Sequence, residues 1–171
     1  MRRRCVGLVV WALAGCGEGP PVPPRTDAGA QVIPHFTAVN RDFDGYRRWP
    51  SFALDGGGQY PRIIYIKARP PPGSTAFPVG TLIVKELLDP LAPGGLGVDA
   101  MAKRGGDDNP GAPGWEFLEL TPVDGGAVIV WRGTGVSVPV GAYVGGGTSC
   151  VGCHAVARDN DFVQSGPLQL R

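Results

Sequence analysis

The chain has 171 residues, 28 of them glycine and 18 proline; a share of about a quarter of residues that resist regular helix excludes a bundle of long helices. With 43% hydrophobic and 18% charged residues, it is too apolar to be disordered throughout. A formal net charge of +1, with Arg2, Arg3 and Arg4 crowded at the N-terminus, gives no electrostatic footprint for nucleic acid. The expectation is one small, mainly β domain preceded by a segment without a core.

Residues 1–4 form a positively charged start, and the apolar run from Cys5 to Leu13 is too short to cross a bilayer as a helix. This reads as a signal peptide over 1–15. Its end, Leu13-Ala14-Gly15-Cys16, looks like a bacterial lipobox, which predicts cleavage before Cys16 and acylation of that cysteine. Several acyl chains at one site hold a protein on a membrane without a spanning segment. Gly17 after the cysteine favours the outer membrane by the sorting rules of Gram-negative bacteria, so the protein is expected on the periplasmic side of the cell envelope. Residues 16–31 are rich in Gly and Pro and almost free of large apolar side chains, the composition of a semi-extended tether. The folded domain is expected over 32–171.

Phe43, Tyr46 and Trp49 recur at intervals of three, an apolar stripe on one short helix with Asn40 as its cap and Pro50 as its stop. Five runs of β-branched or aromatic residues bounded by Gly or Pro are predicted strands: Arg62–Ala68, Thr81–Leu88, Trp115–Thr121, Ala127–Trp131 and Gly135–Val140. Asp124-Gly125-Gly126 supplies the positive φ of a tight turn and makes the third and fourth runs a hairpin. Between Asp89 and Gly114 the density of Gly, Pro and Asp predicts mostly loop, with only Val98–Lys103 able to add a helical turn or a short strand.

Cys150-Val151-Gly152-Cys153-His154 is C-x-x-C-H, the attachment signature of c-type haem. Each thiol adds across one vinyl group of the porphyrin, and the adjacent histidine gives its imidazole to the iron. One covalent haem c is therefore expected, on Cys150 and Cys153, with His154 as proximal ligand. A zinc knuckle, a redox pair and a structural disulfide are the competing readings. Zinc wants four protein ligands, and His35 is the only other histidine; a redox pair wants a βαβ context that the pattern lacks. No disulfide is expected in the mature chain, since Cys5 leaves with the signal peptide and Cys16 carries lipid. For the second axial position only His35 and Met101 are available, as Met1 is removed with the signal. An open iron favours ligand binding or chemistry. A membrane-tethered electron-transfer cytochrome, with His35 or Met101 as sixth ligand, is the alternative.

The chain resembles the cytochrome P-460 family over roughly Val39 to Val163. The resemblance rests on Trp49-Pro50 with Phe52, on Phe77-Pro78-Val79-Gly80-Thr81 running into Ile83-Val84-Lys85-Glu86, on Met101 with Lys103, on Gly114-Trp115-Glu116-Phe117, and on the late haem motif followed by Asp161-Phe162-Val163. It implies an antiparallel β-sheet domain with one or two short helices around the haem, often dimeric, with an open distal face. It also implies oxidation of hydroxylamine, with transfer of electrons to a redox partner protein, or, as in the related cytochrome c′-beta group, binding of nitric oxide. In catalytic members a lysine is joined to the porphyrin edge, and Lys85 matches its place.

Lys85 stands out without the resemblance as well. On a strand it shares a face with Ile83 and Leu87, while Glu86 shares the other with Leu82 and Val84, so one charge enters each apolar face. Such a lysine must be paired, snorkel to solvent, meet a haem propionate or be chemically used. Catalytic members also resemble one another in a carboxylate over the distal iron shortly before the haem motif, yet Arg132–Ser149 contains neither Asp nor Glu. This departure favours a neutral diatomic ligand, with Val138, Val140, Tyr143 and Val144 of the right types to line its pocket. Arg132 is either a propionate anchor or a solvated strand end.

Overall fold

Among the described residues, six strands form one antiparallel sheet in sequence order: β1 Ser51–Leu54, β2 Arg62–Ile66, β3 Leu82–Leu88, β4 Leu96–Lys103, β5 Trp115–Val123 and β6 Gly126–Gly133. The computed structural model describes residues 35–54, 60–89, 93–106, 109–133 and 150–170. The mainly β class expected from composition is observed, as is the antiparallel arrangement that the resemblance implies. The signal segment and tether, including Cys5 and Cys16, the strand expected at Gly135–Val140 and the pocket candidates Val138, Val140, Tyr143 and Val144 lie outside the described residues.

Alternation along each strand builds two apolar layers, one per face. One face carries Tyr65, Leu82, Val84, Val98, Ala100, Leu118 and Leu120, packed beneath Phe43 and Tyr46. The other carries Ile64, Ile66, Ile83, Met101, Trp115 and Phe117, packed against Val151, Phe162, Val163 and Leu168 from the C-terminal segment. A register shift between Glu119 and Leu120 leaves Val130 of β6 without a partner. Ile129 and Trp131 would share a face on a regular strand, but this bulge sends Ile129 to the first layer and Trp131 to the second.

One expectation needs correction. The single helix over residues 40–49 is two short 3₁₀ helices, Asn40–Phe43 and Tyr46–Arg48, separated by Gly45 at φ 63°. Although they stand on separate helices, Phe43 and Tyr46 are both fully buried against the same face of the sheet. Asn40 does not cap; its Oδ1 accepts the Ile129 N–H at 3.0 Å and ties this segment to β6. Within the stretch expected to be mostly loop, the short strand allowed at Val98–Lys103 is observed as β4, which begins two residues earlier and is hydrogen-bonded on both sides to β3 and β5.

The one described α-helix, α1, is Cys150–His154, followed by a 3₁₀ stretch Ala155–Asn160 and a short turn Gly166–Leu168. Buried Asn160 fastens this C-terminal segment: its Nδ2 donates to the carbonyls of Val163 (2.6 Å) and Leu168 (3.1 Å), and its Oδ1 accepts from Leu170 N (2.7 Å).

Candidate haem-binding cleft

Positions i, i+3 and i+4 of a helix share one face, so α1 presents Cys150, Cys153 and His154 together. All three line a cleft of about 210 Å³ between α1, the segment Val163–Ser165 and the second face of the sheet. The sheet contributes Leu54, Ile64, Ile83, Lys85, Asp99, Met101 and Phe117. The motif and the lysine singled out in sequence, remote from one another along the chain, thus meet at one site.

Cys150 and Cys153 are unpaired thiols. Burial, then the nearby Asp99 carboxylate, pushes the Cys150 thiol above its usual pKa. His154 is held by a 2.8 Å contact between Nδ1 and the main-chain carbonyl of Phe162. A carbonyl only accepts, so Nδ1 carries the proton and the Nε2 lone pair is left available to a metal. Burial is the main reason its pKa lies below the usual histidine value, which keeps the ring neutral, as ligation requires. The Phe117 ring lies 5.1 Å from the imidazole and limits its rotation.

Lys85 does not stand alone: its Nζ is 2.7 Å from Asp99 Oδ2, its directly opposed neighbour on β4, and its side chain is half-buried. Asp99 is a site residue that sequence reasoning passes over, because the segment Val98–Lys103 stays open between a helical turn and a short strand and gives no register with Lys85. Glu119 opposes Asp99 on β5, and burial, reinforced by Asp99, raises its pKa. Glu86, on the reverse face, belongs to a separate cluster, accepting from Tyr46 Oη (2.6 Å), Arg47 Nε (2.7 Å) and Tyr65 Oη (3.0 Å).

Of the two candidate sixth ligands, Met101 lines the cleft and exposed His35 does not. Arg132 is not among the residues lining the cleft: it bonds Glu116 Oε1 (3.2 Å) and the Ala38 carbonyl (2.9 Å). Among the described residues, no group of three or more His, Cys, Asp or Glu side chains converges as a metal-ion ligand set.

The donors and walls fit a haem c: two thiols and a neutral imidazole on one helix face, opposite Ile64, Ile83 and Phe117. The cleft's volume lies below the ~300–1,000 Å³ of typical small-molecule pockets. No protein-family model, curated protein or solved structure matches the chain.

Proposed function

We propose that this protein is a lipid-anchored, periplasm-facing mono-haem c protein of the cytochrome P-460 type, which binds small nitrogen species, nitric oxide above all, at an open iron. The observation that supports this most strongly is the convergence of Cys150, Cys153, His154 and Lys85 on one cleft. Cys150 and Cys153 would hold the porphyrin through thioethers, and His154 Nε2 would ligate the iron. When bound, haem c supplies an iron that takes a diatomic ligand or exchanges an electron. The chain's own residues orient the imidazole through Phe162 and wall the cleft with Ile64, Ile83 and Phe117, and the Lys85–Asp99 ion pair would be available to a haem held there. Lys85 is then either a haem crosslink or an ion-paired neighbour, which denaturing mass spectrometry of wild type and Lys85→Arg separates. Turnover of hydroxylamine would need a redox partner protein and a proton acceptor; Asp99 is the carboxylate that lines the cleft.

A second reading, a membrane-tethered electron carrier with Met101 as sixth ligand, is favoured by that residue's place in the cleft. Optical titration of the recombinant holoprotein with nitric oxide decides between the two. The first reading predicts a high-spin ferric spectrum and a ferrous nitrosyl, both unchanged in Met101→Ala. A low-spin ferric iron, with nitric oxide binding only after Met101→Ala, would establish the electron carrier instead.

A further inference from the structure

We propose that Lys103 and Asp161 are positioning residues for His154, fixing the strength of its Nδ1–H hydrogen bond and through it the donor character of Nε2. The inference rests on the haem reading above. Its starting point is the acceptor of that bond. Phe162 and the residue before it, Asp161, have φ of 64° and 49°, the only described non-glycine residues in the left-handed region. Two such residues in succession are unfavourable and persist only where the surroundings hold them. The turn they make aims the Phe162 carbonyl at His154 Nδ1.

The holding contacts are explicit. Asp161 Oδ1 accepts from Lys103 Nζ at 2.7 Å and Oδ2 from Phe77 N at 2.8 Å, while the Asp161 carbonyl accepts from Trp115 Nε1 at 2.8 Å. Lys103 is 8% exposed, bonds the Pro113 carbonyl at 3.3 Å and lies 4.9 Å from the centre of the Trp115 ring. The sheet, through β4 and β5, thus grips the peptide that orients the ligand. A buried ion pair is a poor device for stability alone, because a well-packed apolar pair does as well or better. Holding an acceptor on a metal-ligating histidine has a chemical effect: it fixes the tautomer and raises the basicity of the ligating nitrogen.

The test compares the haem-loaded wild type, Lys103→Arg and the double variant Lys103→Met with Asp161→Asn, which removes both charges and leaves neither buried alone. The readout is the ferrous iron–histidine stretching frequency in resonance Raman after photolysis of the carbonmonoxy form, which is available whatever the sixth ligand. The double variant is expected to shift to lower frequency, and Lys103→Arg to stay at the wild-type value. Should the double variant fail to fold, Lys103→Gln with Asp161→Asn serves, since it also removes both charges, two amides still hydrogen-bond each other, and asparagine tolerates the left-handed turn and still accepts from Phe77. An unshifted frequency in a folded, haem-loaded variant overturns the positioning role while leaving the haem reading intact. Absence of covalent haem from the wild type overturns both.

Discussion

Glu86 shows how a charge sits in an apolar face. Burial pushes its pKa up, but hydrogen bonds from Tyr46, Arg47 and Tyr65 outweigh that and leave it below the usual carboxylate value. A depressed folded pKa contributes stability that is fully present above the unfolded pKa and is lost as pH falls through the folded one. Acid titration of stability should therefore be less steep in Glu86→Gln than in wild type. At neutral pH the same substitution should cost about 1–3 kcal/mol in denaturant unfolding, because an amide cannot accept as both carboxylate oxygens do. The Arg47 side chain is 50% exposed, so Arg47→Ala should cost no more than about 1 kcal/mol. The sequence announced both charges on β3 by alternation alone, but Tyr65 and Asp99, the neighbours that satisfy them, come from strand register and were not legible.

Among the elements, the hairpin of β5 and β6 closes against the first 3₁₀ helix with little clearance. A Cβ on Gly126 would lie 3.0 Å from both Asp44 Cα and the Phe43 carbonyl. These are backbone atoms, so Gly126→Ala should destabilise by about 1–3 kcal/mol, the usual range for overpacking, measured as a fall in the denaturation midpoint. The hairpin was readable from Asp124-Gly125-Gly126, and four of the five expected strands coincide with β2, β3, β5 and β6. β1 escaped, since it has only four residues and follows Pro50, too short for a periodic signal; β4 stays open between helical turn and strand in the sequence, because it contains Gly97 and Asp99 in a glycine-rich stretch and its strand character comes from β3 and β5 on either side. Likewise, the stripe of Phe43, Tyr46 and Trp49 gave the right buried residues but the wrong helix type, since a period of three suits a 3₁₀ helix as well.

Across the whole molecule, the sheet meanders so that each face receives one terminal part of the domain, the 3₁₀ segment on one and the C-terminal segment on the other. The C-x-x-C-H motif was legible residue by residue, and alternation placed Lys85 on an apolar face. That the two share a cleft depends on how α1 packs, which no local pattern encodes. Haem loading should fill the cleft. Amides of β2 to β5 that face the cleft should then exchange with deuterium more slowly in the loaded protein than in the Cys150→Ser, Cys153→Ser variant; equal protection would argue against a group bound there. The central claim is tested most directly by the intact mass under denaturing conditions of protein matured in a host that assembles c-type cytochromes. The account predicts the mature polypeptide plus one haem, lost when both cysteines are replaced by serine. A polypeptide of unmodified mass with both thiols reactive would contradict it.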